Sequence, residues 1–157
     1  MKFSNDAKRA LIVLAAVVFA AVPAAAETIF EATLDSGQLV PPGDSTAYGA
    51  AVIVLNDAQT EAYYTVAFAG LDFPQTAAHF HHAPPGENGP PILTLELGSP
   101  LAGVWMLTPE DADALLAHEV YVNIHTEGYP SGEIRGNFDQ STVAEETTTW
   151  SQLKSLY

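Results

Sequence analysis

Cysteine is absent from the 157-residue sequence, and basic residues are scarce. Without cysteine there is no thiol nucleophile, no thiolate zinc site, no iron–sulfur cluster and no disulfide. Five lysines and arginines stand against 19 aspartates and glutamates, which gives a formal net charge of −14 at pH 7. A surface of this sign repels phosphate backbones and anionic lipid headgroups. Binding to nucleic acid or to a membrane surface is therefore not expected.

The first 26 residues are organised like an export signal. A basic start is followed by an uninterrupted apolar run over residues 10–21 and by three alanines at 24–26, which are the small residues that signal peptidases require. A membrane anchor is the alternative, but a spanning helix needs about 20 apolar residues and this run is shorter. We therefore predict cleavage after Ala26 and export of residues 27–157 to the periplasm or the exterior. That part of the chain keeps 18 acids and two bases, with no membrane span.

Short alternating apolar runs follow the leader and are separated by Gly- and Pro-rich turns, a pattern typical of an all-β sandwich or barrel. Strands are predicted over residues 28–34, 47–55, 62–69, 77–82, 92–97, 120–126 and 133–138. Asn56 and Asp57 favour a turn, so the second and third strands are expected to form a hairpin. A single domain, residues 27–138, accounts for the whole pattern.

One short helix is predicted between the strands. Thr108 suits the N-cap and Pro109 suits the first helical position, and the acids that follow are favoured by the helix dipole. We expect this helix to end near His118. In the polar tail, residues 139–157, apolar side chains at positions 150, 153, 156 and 157 have helical spacing. That spacing is compatible with a second short helix that docks on the body, docks on a partner or frays.

Two histidines of the predicted strand 77–82 share one face. His79 and His81 are two residues apart, whereas Phe80 points to the other side. His125 lies on the polar face of the predicted strand 120–126. If these strands are neighbours, three imidazoles converge and offer nitrogen ligands to copper or zinc, while the lack of acids in the set argues against calcium and magnesium. The alternative is that the histidines only form hydrogen bonds with backbone or carboxylate groups.

Arg135 is the only arginine that follows the leader. One interpretation is a salt bridge to Glu133 or to another acid, which would fix the last strand. The other places this cation beside the histidines, where its guanidinium would orient a small anion such as superoxide. His82 and His118 are left out of the site, because the first alternates to the Phe80 side and the second ends the helix.

Four segments resemble the CHRD domain, the module first named in chordin, and they are residues 77–81, 86–90, 121–126 and 129–136. The resemblance covers about Thr28 to Phe138. It implies a β-sandwich of Greek-key or immunoglobulin-like type that works outside the cytoplasm, and it implies no settled activity. His118 stands where the helix of the family often ends with glycine.

A weaker likeness of pattern is to the copper half of copper/zinc superoxide dismutases. It would make His79, His81 and His125 copper ligands and Arg135 the residue that orients superoxide, and it favours copper over zinc. The fourth histidine, the zinc loop and the disulfide of those enzymes have no counterpart here, and the spacings differ. The likeness raises a hypothesis about function without establishing one.

Three functions stay open on the sequence. The first is that of a copper enzyme that dismutates superoxide. The second is that of a metal-binding or carrier protein without turnover. The third is that of a metal-free interaction module of an exported assembly whose protein partner is unknown. Metal binding ranks above the metal-free module, and catalysis ranks below simple binding. Hydrolase, kinase and dehydrogenase functions have no support, because the sequence has no Ser-His-Asp set, phosphate loop or dinucleotide fingerprint.

Overall fold

The computed structural model describes residues 27–141, which form two antiparallel β-sheets around one apolar core. The all-β sandwich with one helix that the sequence predicts is confirmed. The strands are β1 (Thr28–Leu34), β2 (Tyr48–Leu55), β3 (Glu61–Ala69), β4 (Gln75–His82), β5 (Pro91–Thr94), β6 (Leu101–Met106), β7 (Val120–Thr126), β8 (Ile134–Asn137) and β9 (Asp139–Gln140), and helix α1 spans Pro109–Leu116. The predicted leader and the predicted helix at residues 150–157 lie outside the described residues.

The larger sheet has the strand order β6-β3-β2-β1-β9, and the smaller sheet has the order β5-β4-β7-β8. The predicted hairpin is present, with Leu55 of β2 paired to Ala62 of β3. The two sheets are also joined at one edge, where Asp35 and Arg135 exchange two backbone hydrogen bonds of 3.1 and 3.0 Å. This bridge fixes the start of β8 relative to the end of β1.

The strands that carry the three histidines, β4 and β7, are antiparallel neighbours at the centre of the smaller sheet. His79 pairs with Asn123, and Ala77 pairs with His125. Directly paired residues share a face of the sheet, and so do residues two apart on one strand. The side chains of His79, His81 and His125 therefore project from the same face. The two strands are neighbours, as the predicted convergence of the three imidazoles requires.

Phe80 determines which face of β4 is buried. Its side chain is fully buried between the sheets, with ring centroids 5.2 Å from Tyr64 and 5.4 Å from Phe138 in edge-to-face contact. Burial of an aromatic side chain of this size stabilises the fold by about 1.5–3 kcal/mol. Because side chains alternate along a strand, the burial of Phe80 turns His79 and His81 to the outer face.

Helix α1 begins at the predicted N-cap. Thr108 Oγ1 accepts a hydrogen bond of 3.2 Å from the backbone N–H of Asp111, and the Asp111 carboxylate accepts one of 2.9 Å from the backbone N–H of Thr108. This capping box satisfies donors that the first helical turn leaves open. His118 closes the helix with a φ of 61°, the left-handed conformation that usually favours glycine. No helix in the described part of the chain is long and apolar enough to cross a membrane.

The sequence prediction missed strand β6. Gly103 interrupts the apolar pattern of this strand, but a Cβ atom at that position would lie only 2.4 Å from the Tyr64 hydroxyl on the neighbouring β3. The prediction was also wrong for β5, which ends at Thr94 rather than at residue 97. Strand β9, which pairs with Phe30 and Glu31 of β1, falls in the stretch that the sequence assigned to the polar tail. Each of these features depends on a partner that is distant in sequence.

The two outer faces of the sandwich differ in chemistry. The outer face of the larger sheet exposes apolar side chains, among them Tyr48, Tyr63 and Val104. The outer face of the smaller sheet carries polar side chains that are nearly enclosed, since Asn123 is 5% exposed and Arg135 is 1% exposed. The groups that can do chemistry therefore lie on the smaller sheet, beneath its covering loops.

Candidate metal site

Three imidazoles come together on the outer face of the smaller sheet. One ring nitrogen from each of His79, His81 and His125 lies within 4.8 Å of the other two, and His79 Nδ1 is 3.1 Å from His125 Nε2. Three imidazole nitrogens spaced evenly around one ion are about 3.5 Å apart, so the widest pair needs to close by no more than about 1.3 Å. The convergence expected from the sequence is present, and the group could hold a metal ion.

Two of these rings have their tautomers set by backbone carbonyls. His81 Nδ1 is 2.9 Å from the Gly89 carbonyl oxygen, and His125 Nδ1 is 2.9 Å from the Pro130 carbonyl oxygen. A carbonyl only accepts hydrogen bonds, so each Nδ1 carries the proton and each Nε2 keeps its lone pair. The same arrangement, with one ring nitrogen donating to the protein, orients histidines that bind metals.

The Nε2 atom of His81 is buried and has no hydrogen-bond partner among the described residues. An unsatisfied buried polar atom is uncommon in folded proteins and needs a specific explanation. Here the lone pair belongs to a ring beside two further imidazoles, with centroids 5.6 Å from His79 and 6.1 Å from His125. A metal ion among the three rings would satisfy this atom, so the residues present fit such an ion.

The surroundings of His79 and His81 favour their neutral forms, because burial lowers both pKa values. Burial lowers the pKa of the His79 imidazole, and a charge on His125 would lower it further. Burial also lowers the pKa of the His81 imidazole, although its hydrogen bond to Gly89 opposes part of that shift. Because only the neutral imidazole binds a metal, both shifts favour metal binding at neutral and mildly acidic pH.

The lowered pKa values predict a loss of stability in acid. In the unfolded chain both imidazoles take up protons near pH 6.5, whereas the folded chain takes them up at lower pH. The unfolded state therefore binds more protons below that pH, so the folded state has its full stability above about pH 6.5 and loses stability as the pH falls further. Urea unfolding of the metal-free chain should be easier at about pH 5 than at about pH 7.5. In a His79→Gln, His81→Gln double variant, the free energy of unfolding should differ less between these two pH values. An unchanged difference would show that the two imidazoles do not cause the loss of stability in acid.

The loop between β4 and β5 fits closely against β4. A Cβ atom at Gly89 would lie 1.8 Å from the His82 carbonyl oxygen, so only glycine fits at this point. Gly86 has a φ of 84°, which turns the loop back towards the sheet. These two glycines bring the Gly89 carbonyl over His81, where it accepts the Nδ1 proton.

Arg135 lies almost fully buried on the same face, one strand away from His125. Its Nη1 donates to the Glu87 carbonyl oxygen at 2.8 Å, and its Nη2 donates to Asn137 Oδ1 at 2.9 Å. The guanidinium carbon is 3.5 Å from the centroid of the Tyr121 ring, a cation–π contact. No carboxylate among residues 27–141 lies within 4.0 Å of this cation. The salt bridge that the sequence suggested is therefore not formed there.

Glu133, one candidate partner of Arg135 in the salt-bridge interpretation, is fully buried and accepts hydrogen bonds from other groups. Its carboxylate accepts hydrogen bonds from Ser45 Oγ at 2.8 Å, the backbone N–H of Asp72 at 2.7 Å and Thr126 Oγ1 at 2.7 Å. Three donors from three segments therefore compensate its burial. Glu133 also holds the end of the turn whose Pro130 carbonyl orients the third histidine.

A cleft of about 340 Å³ opens beside the imidazoles. His81, His125 and Arg135 line it together with the apolar side chains of Leu39 and Val40. A metal ion bound by the histidines and the buried guanidinium would thus border the same small space. The arrangement can hold a cation at one end and place a positive side chain next to it.

Sequence reasoning missed several groups of the site. The Tyr121 ring stacks on His81 with centroids 4.8 Å apart and planes 9° apart, and its position two residues from Asn123 and four from His125 was the available signal. The Gly89 and Pro130 carbonyls gave no signal, because any residue has a carbonyl. His82 and His118 lie outside the site, in contact with Glu119 at 3.1 Å and Asp139 at 3.6 Å, respectively.

The chain matches one known family of domains. A family model described as the CHRD domain matches residues 30–138, more than half of the 157 residues, and this match confirms the resemblance predicted from the sequence. No curated protein and no solved structure gives a significant match.

Proposed function

The chain belongs to the CHRD domain family, and we propose that this member is an exported copper-binding protein whose ion is held by His79, His81 and His125. The observation that carries the proposal is the orphaned lone pair of His81 Nε2, buried beside two further imidazoles. Three neutral nitrogen ligands without a carboxylate suit copper or zinc. Copper is preferred because a given nitrogen site generally binds Cu(II) more tightly than Zn(II).

Equilibrium dialysis of the exported chain against Cu(II), followed by metal analysis, tests the proposal. We expect one tightly bound copper ion per chain, retained against an excess of calcium or magnesium, which prefer oxygen ligands. Zinc should bind at the same site and be displaced by copper. Failure to retain either metal would refute the proposal and favour the metal-free interaction module.

Superoxide dismutation is a second candidate function, and one observation favours it. Arg135 has no carboxylate within 4.0 Å among residues 27–141 and borders the same cleft as His81 and His125, so its charge favours a small anion there by a local effect. Bound copper would supply the one-electron redox couple with which two superoxide ions and two protons yield one oxygen molecule and one hydrogen peroxide molecule. A superoxide assay on the copper-loaded chain separates this function from simple binding, since a carrier would show no activity above free copper.

Export is part of the proposal, and its signal predicts a specific processing site. In a bacterial host with a periplasm, intact mass measurement should show an exported chain that begins at Glu27. An Ala26→Leu change should leave unprocessed precursor, because signal peptidases need small residues at the first and third positions before the cut. The matched control is Ala25→Leu, which should be processed normally. A full-length chain retained in the cytoplasm would contradict the prediction.

A further inference from the structure

Arg135 contacts the loop between β4 and β5, which orients His81. The guanidinium Nη1 donates to the Glu87 carbonyl oxygen at 2.8 Å and lies 3.4 Å from Asn88 Oδ1. Gly89, the next residue, supplies the carbonyl that accepts the His81 Nδ1 proton at 2.9 Å. Arg135 therefore holds the backbone at Glu87, two residues before the Gly89 carbonyl that sets the His81 tautomer.

A second route connects the same two residues through Tyr121. Its ring lies 3.5 Å from the Arg135 guanidinium carbon and stacks on the His81 imidazole at 4.8 Å between centroids. The Tyr121 hydroxyl accepts a hydrogen bond of 3.1 Å from the Gly89 backbone N–H. Because β7 lies between β4 and β8, Tyr121 stands between the arginine and the histidine. The cation thus contacts both the loop and the ring that hold His81.

The planar shape of the Arg135 guanidinium allows it to contact the loop and the Tyr121 ring at the same time. Nη1 and Nη2 donate to oxygens in different directions, towards the loop at Glu87 and along β8 at Asn137, while the flat face of the group covers an aromatic ring. A planar guanidinium can do all three at once, whereas a lysine ammonium offers a single point of charge on a flexible stem. Its third nitrogen, Nε, is buried without a partner among the described residues, so the donors used are those that face the loop and β8.

We propose that Arg135 is a positioning residue for the metal ligand His81. By holding the loop of residues 86–90, it keeps the Gly89 carbonyl on Nδ1 and keeps the Nε2 lone pair directed at the site. The inference rests on the proposed function for the identity of the ion. The tautomer of His81 in the metal-free chain, however, is a direct consequence that needs no metal.

An Arg135→Lys change in the exported chain tests the proposal, because lysine keeps the positive charge but lacks the two planar Nη donors that bond to Glu87 and Asn137. Nitrogen NMR of the metal-free wild type should show both His81 and His125 protonated at Nδ1. In the variant, His81 should become a mixture of tautomers, while His125 should be unchanged, since the Pro130 carbonyl that orients it has no contact with Arg135. Copper affinity should fall about 10–100-fold, the usual cost of removing a group that orients a metal ligand.

Asn88→Ala is a milder variant for the case that Arg135→Lys does not fold. The Asn88 side chain is exposed and donates to the Val40 carbonyl oxygen at 2.7 Å, so its loss should loosen the same loop and shift His81 in the same direction by a smaller amount. An unchanged His81 tautomer in both variants, or an equal change at His81 and His125, would overturn the positioning role. A wild type that binds no copper but shows the tautomer shift in the variants would refute the proposed function alone.

Discussion

Replacement of His81 by alanine should abolish stoichiometric copper binding. The change removes the buried Nε2 lone pair and leaves two imidazoles, His79 and His125, on the partly open side of the site. We expect the affinity to fall more than about 100-fold, beyond the 10–100-fold cost of losing a group that only orients a ligand. The fold should survive, because the apolar core lies on the opposite face of β4, where Phe80 is buried. Dialysis against copper at limiting concentration, with a chelator as competitor, measures the effect.

His82→Ala is the matched control for that experiment. His82 is the next residue, but its ring contacts Glu119 at 3.1 Å and does not belong to the group of three histidines. Copper uptake by this variant should equal that of the wild type. Equal uptake by the His81→Ala variant would contradict the three-histidine site, and a loss in both variants would point to general damage of β4.

Replacement of Glu133 by alanine should destabilise the fold strongly, by about 3–5 kcal/mol, because three buried or partly buried donors lose their common acceptor group together. These donors are Ser45 Oγ, the backbone N–H of Asp72 and Thr126 Oγ1. They come from three separate segments, so no single side-chain rearrangement can satisfy all of them. Urea unfolding of the metal-free chain gives the free energy of unfolding.

Glu127→Ala is the control for the loss of one negative charge in the same turn. Glu127 is exposed, and surface substitutions of this kind usually change the stability by no more than about 0.5 kcal/mol. A similar small loss in the Glu133→Ala variant would show that the buried network contributes little. The Glu133→Ala variant should also hold His125 less rigidly than the wild type does, because Glu133 ends the turn that carries the Pro130 carbonyl.

The sequence predicted those parts of the fold and site that depend on local alternation. Phe80 between His79 and His81 indicated which face of the strand would be buried, because a period of two is enough to separate an aromatic core residue from its polar neighbours. Thr108 likewise indicated the start of the helix, since its capping partner Asp111 is only three residues away. The same local reasoning placed His125 on the polar face of its strand.

Other features could not be predicted, because they depend on partners distant in sequence. Gly103 interrupts the apolar pattern of strand β6, so the sequence does not indicate a strand there. The position lacks a side chain because Tyr64 of the neighbouring strand occupies that space. The environment of Arg135 is set by the Glu87 carbonyl, 48 residues away, and a carbonyl leaves no trace in the identity of a residue. The salt bridge from Arg135 to Glu133 or another acid, one of the two interpretations of the sequence, is not formed among the described residues, because Glu133 accepts hydrogen bonds from uncharged donors in distant segments instead.

Anomalous diffraction from crystals of the copper-loaded chain tests the central claim most directly. The account predicts one copper peak about 2.0–2.1 Å from His79 Nδ1, His81 Nε2 and His125 Nε2, the usual distance between a metal and an imidazole nitrogen. The Nδ1 atoms of His81 and His125 should still donate to the Gly89 and Pro130 carbonyls. A copper peak elsewhere, or a peak that contacts fewer than three of these rings, would contradict it.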